Sequence, residues 1–505
     1  AGLAGLSAAL QAAENGCNVK LVSSLPSERA QSVMAEGGIN AALNTKDEND
    51  SPEEHFTDTI KAACGLADPN AVWGMTQAAP ELVHWLLKLG VKFNMSGYDD
   101  VDLRNFGGQK KKRTAFAQSD TGKQIMTAMI DAVRRKEASG MVERFSHHSF
   151  LTLRLCGNIC CGCVIRDEYS QETVELPGDA VIVATGGMHG LFGNTTGSLS
   201  NTGEVTAELF RLGVPLANGE MIQYHPTTVK CGGKRMLISE AARGEGGRLF
   251  AMKDGKQWYF MEEKYPELGN LMPRDITARE IWKVSHESEV FLDMTEISDE
   301  IISNKLSGLA DDCMTYLHKD IRKEPVSVLP GIHYFMGGIL VDEQHRTTIQ
   351  NLYAAGECCA QYHGANRLGG NSLLGALYGG RVAAKSACEQ ADVVDLSCAT
   401  QIDFPPASQI SEIKQLNKVM QETMGVVRNE NTLLNGIQTV QALTGNLPLL
   451  GMAVLKSALA RKESRGAHWR EDYPKSNDDD YLKTTVARFD GKQIQISFVP
   501  VPERR

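Results

Sequence analysis

Apolar positions recur at helical spacing almost from the start of the chain. Leu6, Ala9, Leu10 and Ala13 follow Gly5, Gly16 closes the run, and residues 19–22 form an apolar stretch of strand length. A glycine turn, a helix and a strand are therefore predicted in that order. Residues 180–184 read as a strand ending at Thr185-Gly186-Gly187, and residues 351–355 as one ending at Gly356-Glu357. Strand ends followed by glycine are where α/β sheets take nucleotides. Residues 151–175 alternate apolar and polar side chains around Gly157-Asn158, the pattern of antiparallel strands joined by a hairpin. Residues 229–332 lack that rhythm and are assigned to an inserted domain. From about Ser408 helical periodicity dominates, as in 410–416 and 452–460, and the last thirty residues read as a charged, extended tail.

Composition narrows the function classes. The chain has 505 residues, enough for several cores. Its 52 basic and 62 acidic side chains leave a net charge of −10, with Lys110, Lys111, Lys112 and Arg113 the one basic run, which argues against nucleic-acid binding. No window approaches about 20 apolar residues, so membrane contact is expected only through a partner. Twelve scattered cysteines fit reduced thiols and a cytoplasmic setting, peripheral to the cytoplasmic membrane face at most. The opening Ala1-Gly2-Leu3-Ala4-Gly5-Leu6 reads as the middle of a glycine turn, with a first strand expected before it and no basis for finding or excluding a signal peptide.

Gly2 and Gly5 match the second and third glycines of a dinucleotide turn, where a Cβ would block the pyrophosphate or the helix–strand contact. Two glycines alone are a weak signal, and Ser24, near the usual ribose-binding acid, neither strengthens nor weakens it. Four more segments follow in order: Ala35-Glu36-Gly37-Gly38-Ile39-Asn40, Ala184-Thr185-Gly186-Gly187, Ala355-Gly356-Glu357 and Asn366-Arg367-Leu368-Gly369-Gly370-Asn371-Ser372-Leu373. Together they resemble the flavin-binding segments of the succinate dehydrogenase and fumarate reductase flavoprotein family, which includes L-aspartate oxidase. The resemblance runs from residue 1 to about 474. It implies an α/β fold: a Rossmann-like FAD-binding domain (1–228, with a cap-associated segment at about 46–117, and 333–400), an inserted α+β capping domain (229–332), and a C-terminal helical domain with a tail (401–505). It also implies that Gly2 and Gly5 sit under the FAD pyrophosphate, that Ser32 is a further cofactor-binding residue, and that Gly37 and Gly38 lie near the isoalloxazine. Glu357 would take ribityl or ribose hydroxyls, while Asn371, Ser372 and Leu373 would lie close to the ring, with a helix N-terminus toward its O2 edge. Many members attach FAD through a His; the corresponding residue here is Gln31, whose amide cannot form that bond, so noncovalent FAD is expected.

The same resemblance implies a four-carbon dicarboxylate substrate, fumarate or succinate, whose carboxylates need donors at both ends. His225, Ser239, His333 and Arg367 stand at matching positions. Hydride transfer at flavin N5 would be completed by a proton from Arg274, resupplied through Glu240 and Arg243. A structural alternative pairs Arg274 with Asp275 or Glu280. The alternative activity is L-aspartate oxidation. It is disfavoured by Phe106 in Asn105-Phe106-Gly107-Gly108, because a phenyl ring cannot receive an ammonium where aspartate oxidases carry a Glu. A noncatalytic flavoprotein scaffold would have no need of this residue set. Cys156, Cys160, Cys161 and Cys163 fit no common metal spacing, and no metal site is expected. Electrons would then come from an iron–sulfur subunit or a diffusible donor. Residues 463–474 resemble a family segment read as a structural hairpin stapling the helical domain to the flavin domain.

Overall fold

The helix Leu3–Glu14 forms because its residues are mostly alanine and leucine, and it ends where Gly16 adopts φ +83°. It is buried on nearly all sides, packing against the long helix Asn371–Gln390. Glycine permits this approach: a Cβ on Gly380 would stand 2.4 Å from the Ala4 carbonyl oxygen. The computed structural model describes residues 1–97, 100–393, 404 and 409–505. The domain boundary expected near residue 400, and Ser408, lie outside the described residues.

Strand Val19–Ser23 pairs in parallel with Val142–Ser146, and Val181–Val183 pairs in parallel with Leu352–Ala354. Both pairs end at the same cavity. The expected hairpin turns at Gly157-Asn158 between His148–Cys156 and Ile159–Asp167, and a third strand, Thr173–Pro177, continues it into an antiparallel sheet. Among the described residues ten cysteines are free, but Cys156 is disulfide-bonded, which corrects the all-reduced expectation at that position.

Residues 229–332 contain the sheet that an α+β capping domain implies: Arg248–Lys253 pairs with Lys256–Trp258 and Val290–Asp293, which pairs with Val326–Ser327. These strands are short, and Leu249, Phe250 and Ala251 are buried consecutively, so no alternation marks them. The helices Ile410–Thr423, Glu430–Gln441 and Asn446–Ala460 form a layer around Leu416, Met420, Leu433 and Leu450 as expected. The tail, however, is not extended coil. Lys483–Phe489 and Ile494–Pro500 form a hairpin that joins Leu216–Ala217 in a five-stranded sheet. Val486 and Ala487 face inward while the outer strand keeps its polar and amide side chains in water. No helix among the described residues is long and apolar enough to cross a membrane.

Candidate active site

A cavity of about 2090 Å³ runs along the two parallel strand pairs to the layer that carries the helix Arg274–Ser285. At one end stands the N-terminus of Leu3–Glu14, capped by Gly2 without a side-chain hydrogen bond. The Leu3 N–H donates to Ser32 Oγ at 3.1 Å, tying the glycine turn to the segment of Ser32. Gln31 lines the same wall. Further along, Gly38 adopts φ +132° against the Ala115 carbonyl, and Gly37 faces the Phe106 ring, leaving no room for a Cβ at either. Glu357 lines the cavity beyond the strand Leu352–Ala354, its Oε1 accepting from the Phe335 N–H at 3.1 Å.

The second helix N-terminus on this cavity is that of Asn371–Gln390, capped by Gly370 at φ +84° and again by no side chain. Ser372 and Leu373 line the cavity. The Asn371 side chain turns into the protein, where its Oδ1 accepts from Asn40 and His55 and its Nδ2 donates to Thr59. Two helix N-termini opening on one elongated cavity, with glycine where the walls close in at Gly37 and Gly38, suit an anionic dinucleotide whose far end is a ring rich in carbonyls. The residues present fit FAD.

At the other end the proposed acid and its relay form a continuous chain. Arg274 donates from Nε and Nη2 to Glu240 Oε2 at 2.8 and 2.6 Å, and from Nη1 to Gln223 Oε1 at 3.0 Å. Glu240 Oε1 accepts from the Gly107 N–H at 3.0 Å and lies 3.4 Å from Arg243 Nη2. Arg243 stands behind Glu240, held by the Asn270 carbonyl. Burial pushes the Glu240 carboxyl upward, but the guanidiniums of Arg274 and Arg243 outweigh it and hold the group below the usual carboxylate range. Neither Asp275 nor Glu280 competes for Arg274: Asp275 accepts from Asn366, and Glu280 is paired with Lys264 and Lys283.

His225 and His333 face each other edge to face, 5.2 Å between ring centroids. Burial and the nearby Arg274 charge keep both far below the usual histidine range, so both are neutral. His333 Nδ1 lies 2.8 Å from Thr196 Oγ1. Ser239 lines the cavity as N-cap of Glu240–Gly244. Arg367 is 3% exposed, sits 4.4 Å above the Tyr334 ring, leaves Nε unpartnered, and has no ion pair among the described residues. Burial, with Arg274 repelling it, brings this guanidinium down to about 9. The buried Phe106 ring closes the wall between Gly37 and Gly369.

Sequence reasoning missed Gln223, Thr196 and Glu36 as site residues. Gln223 lies two residues before His225 on one strand, so period-two spacing was the available signal. Burial and the Asp312 carboxylate push Glu36 up to about 8, so its carboxyl is protonated at neutral pH against the cavity wall.

Residues 1–373 match the FAD binding domain family model, and residues 443–504 match the fumarate reductase flavoprotein C-terminal model. The chain is 38% identical to the succinate dehydrogenase flavoprotein subunit of Bacillus subtilis, over 100% of this chain and 97% of that one. It is 32% identical to the 8-methylmenaquinol:fumarate reductase flavoprotein subunit of Wolinella succinogenes, over 100% and 91%. A solved structure of E. coli quinol fumarate reductase FrdA superposes with a TM-score of 0.90 at 27% identity, covering 99% of this chain and 95% of that one. The chain belongs to the succinate dehydrogenase and fumarate reductase flavoprotein family and is an FAD-dependent oxidoreductase.

Proposed function

We propose, from that membership, that the protein interconverts fumarate and succinate as the flavoprotein subunit of a larger enzyme and is biased toward fumarate reduction. The observation that carries this is Arg367, a buried guanidinium without a carboxylate partner, on the same cavity wall as Arg274, His333 and His225. A buried cation left unpaired is costly, and a dicarboxylate would supply the missing anion. The two neutral histidines and the Ser239 hydroxyl would donate to its other carboxylate without adding charge.

FAD, held by the two helix N-termini, Ser32, Gly37, Gly38 and Glu357, would supply hydride chemistry at its N5 atom. Residues of this chain do the rest. Arg274 is already hydrogen-bonded to Glu240, so a proton given to the substrate carbon can be replaced through Glu240 from Arg243. Phe106 excludes water at the boundary between ring and substrate and offers nothing to an amino group. The layer of residues 229–332 carries Arg274 over the cavity and acts as the cap. Electrons would arrive from an iron–sulfur subunit or another donor, with membrane contact made by partners on the cytoplasmic face.

With Gln31 in place of a linking His, the FAD is noncovalent and its potential correspondingly low, which favours giving electrons to fumarate. Acid precipitation should release all yellow colour to the supernatant; flavin retained in the pellet would overturn this. The activity is tested anaerobically: the flavoprotein is reduced stoichiometrically, fumarate is added, and the oxidised flavin absorbance is followed. Prompt reoxidation is expected, and a stable reduced spectrum despite bound FAD would overturn the reading.

A further inference from the structure

His55 is fully buried, lies outside the cavity lining, and has no part in the chemistry above. It sits on the helix Pro52–Ala62 with Thr59 one turn later on the same face. The hydrogen bonds around it fix its protonation. Thr59 Oγ1 gives its one proton to the His55 carbonyl at 2.8 Å, so it can only accept from Asn371 Nδ2 at 3.0 Å. Asn371 must then turn Oδ1 toward Asn40 Nδ2 at 2.8 Å and His55 Nε2 at 2.9 Å. An acceptor facing Nε2 makes His55 the Nε2–H tautomer. Burial and the Arg113 guanidinium drive His55 down to about 3, and Nδ1 has no partner, so the ring stays neutral.

The same net grips the preceding turn. Asn40 Nδ2 also donates to the Gly369 carbonyl at 2.7 Å, which receives Gln109 Nε2 at 3.0 Å, and the Asn40 N–H donates to the Gly370 carbonyl at 3.2 Å. Asn40 Oδ1 accepts from Gln109 and Thr114. Gly369 in turn is in contact with the proton-transfer groups: a Cβ there would stand 2.8 Å from Phe106, 3.0 Å from Glu240 Oε2 and 3.3 Å from Arg274 Nη2. The turn Gly369–Gly370–Asn371 therefore joins the helix N-terminus on the cofactor side to the acid on the substrate side.

We propose that His55 is a positioning residue, its neutral Nε2–H locking Asn371 so that the Gly369–Gly370 turn holds the cofactor-facing helix N-terminus in register with Arg274 and Glu240. The turnover consequence rests on the dicarboxylate reading; the consequence for the bound flavin does not.

The test compares His55→Leu, which removes the donor, with His55→Gln, whose amide can donate from nearly the same place, and with Thr59→Val, which removes the anchor of the Asn371 amide. All are measured as FAD-loaded full chains for flavin midpoint potential, visible spectrum, and fumarate kcat and KM. The His55→Leu variant is expected to shift the potential and lower kcat by about a hundredfold, the scale of an ångström of misplacement, with KM within about threefold. His55→Gln should restore both, and Thr59→Val should repeat the loss in milder form. A His55→Leu protein with wild-type potential and kcat would overturn the proposal, as would a His55→Gln protein no better than His55→Leu. Should His55→Leu fail to fold, a wild-type potential and kcat in Thr59→Val would overturn it. Failure of the wild type itself to oxidise with fumarate would remove the dicarboxylate reading and leave the potential and spectrum still deciding the role of His55.

Discussion

Arg367 and Arg274 are both buried guanidiniums, yet they should respond to substitution in opposite ways. Arg274 is satisfied, with three hydrogen bonds to Glu240 and Gln223. Arg367 carries its charge unpaired against the Tyr334 ring. Replacing an unpaired buried cation with an apolar group of similar volume relieves desolvation strain on the order of 3 kcal/mol. Arg367→Met is therefore expected to melt higher than wild type in the FAD-loaded, substrate-free protein, while its fumarate KM rises by about a hundredfold or more. Calorimetry with and without fumarate checks the first half and steady-state kinetics the second, and a lower melting temperature would show that Arg367 already has an anionic partner. Arg274→Lys keeps a charge but loses the two-pronged contact with Glu240, so kcat should fall by about 10² to 10⁴ with flavin content unchanged. Wild-type single-turnover reoxidation in that variant would remove Arg274 as the acid.

At the scale of elements, the long helix behind the cofactor end depends on one backbone angle. Gly370 at φ +84° would place a Cβ 2.1 Å from Asn40 Oδ1, so Gly370→Ala incurs both left-handed strain and a collision with a buried, fully engaged amide. A loss of more than about 2 kcal/mol and reduced FAD occupancy are expected, measured by denaturant unfolding and the flavin-to-protein ratio. The residue 463–474 segment is a second such element. Arg461 bridges Glu220 and Glu463 at 2.8 and 2.7 Å with all three side chains fully buried, and Arg465 and His468 extend the cluster. Arg461→Ala strands the buried Glu220, while Glu463 keeps Arg465, and should cost about 3–5 kcal/mol, whereas an exposed pair such as Arg134 with Glu28 should cost little. Glycine turns and motif side chains are local signals that sequence shows directly: Gly2, Gly5, Gly370, His225 and His333 all line one cavity. The individual strands within 229–332 show no period, since they are short and bury consecutive residues, and the sheet there was legible only through the resemblance. The tail hairpin carried a local signal, the alternation from Ile494 to Phe498, which the charged residues around it outweighed. His55 was overlooked because its partners come from residues 40, 59 and 371, which only folding brings together.

For the whole molecule, burial of neutral histidines sets the response to acid. His55, His225, His333, His345, His363 and His468 are all held below the ordinary histidine value, chiefly by burial. Each takes up a proton near pH 6.5 when the chain unfolds but not while it is folded. Stability from these groups is therefore complete above about pH 6.5 and is lost as pH falls below it toward the folded values, with each group contributing up to about 1.4 kcal/mol per pH unit. Glu36 acts with the opposite sign. Raised to about 8 by burial and Asp312, it stays protonated in the folded chain while the unfolded carboxyl ionises at 4.5, so its contribution declines as pH rises from about 4.5 to about 8. Asp50, Asp68, Glu204, Asp275 and Asp312 are raised by burial too and act with the sign of Glu36 where they titrate, while the six histidines act together from about pH 6.5 downward. The expected result is a melting temperature that falls steeply between about pH 6.5 and pH 5, with net proton uptake on unfolding that approaches one per buried histidine less the one that Glu36 releases. Calorimetry in buffers of differing ionisation enthalpy counts those protons directly. Glu36→Gln should steepen the fall between about pH 6.5 and pH 5, where Glu36 opposes the histidines, and flatten the trend from pH 6.5 to about 8. If melting were instead level from pH 7 to pH 5, the histidines would have to be charged in the fold, and His225 and His333 would meet the substrate as cations rather than as neutral donors.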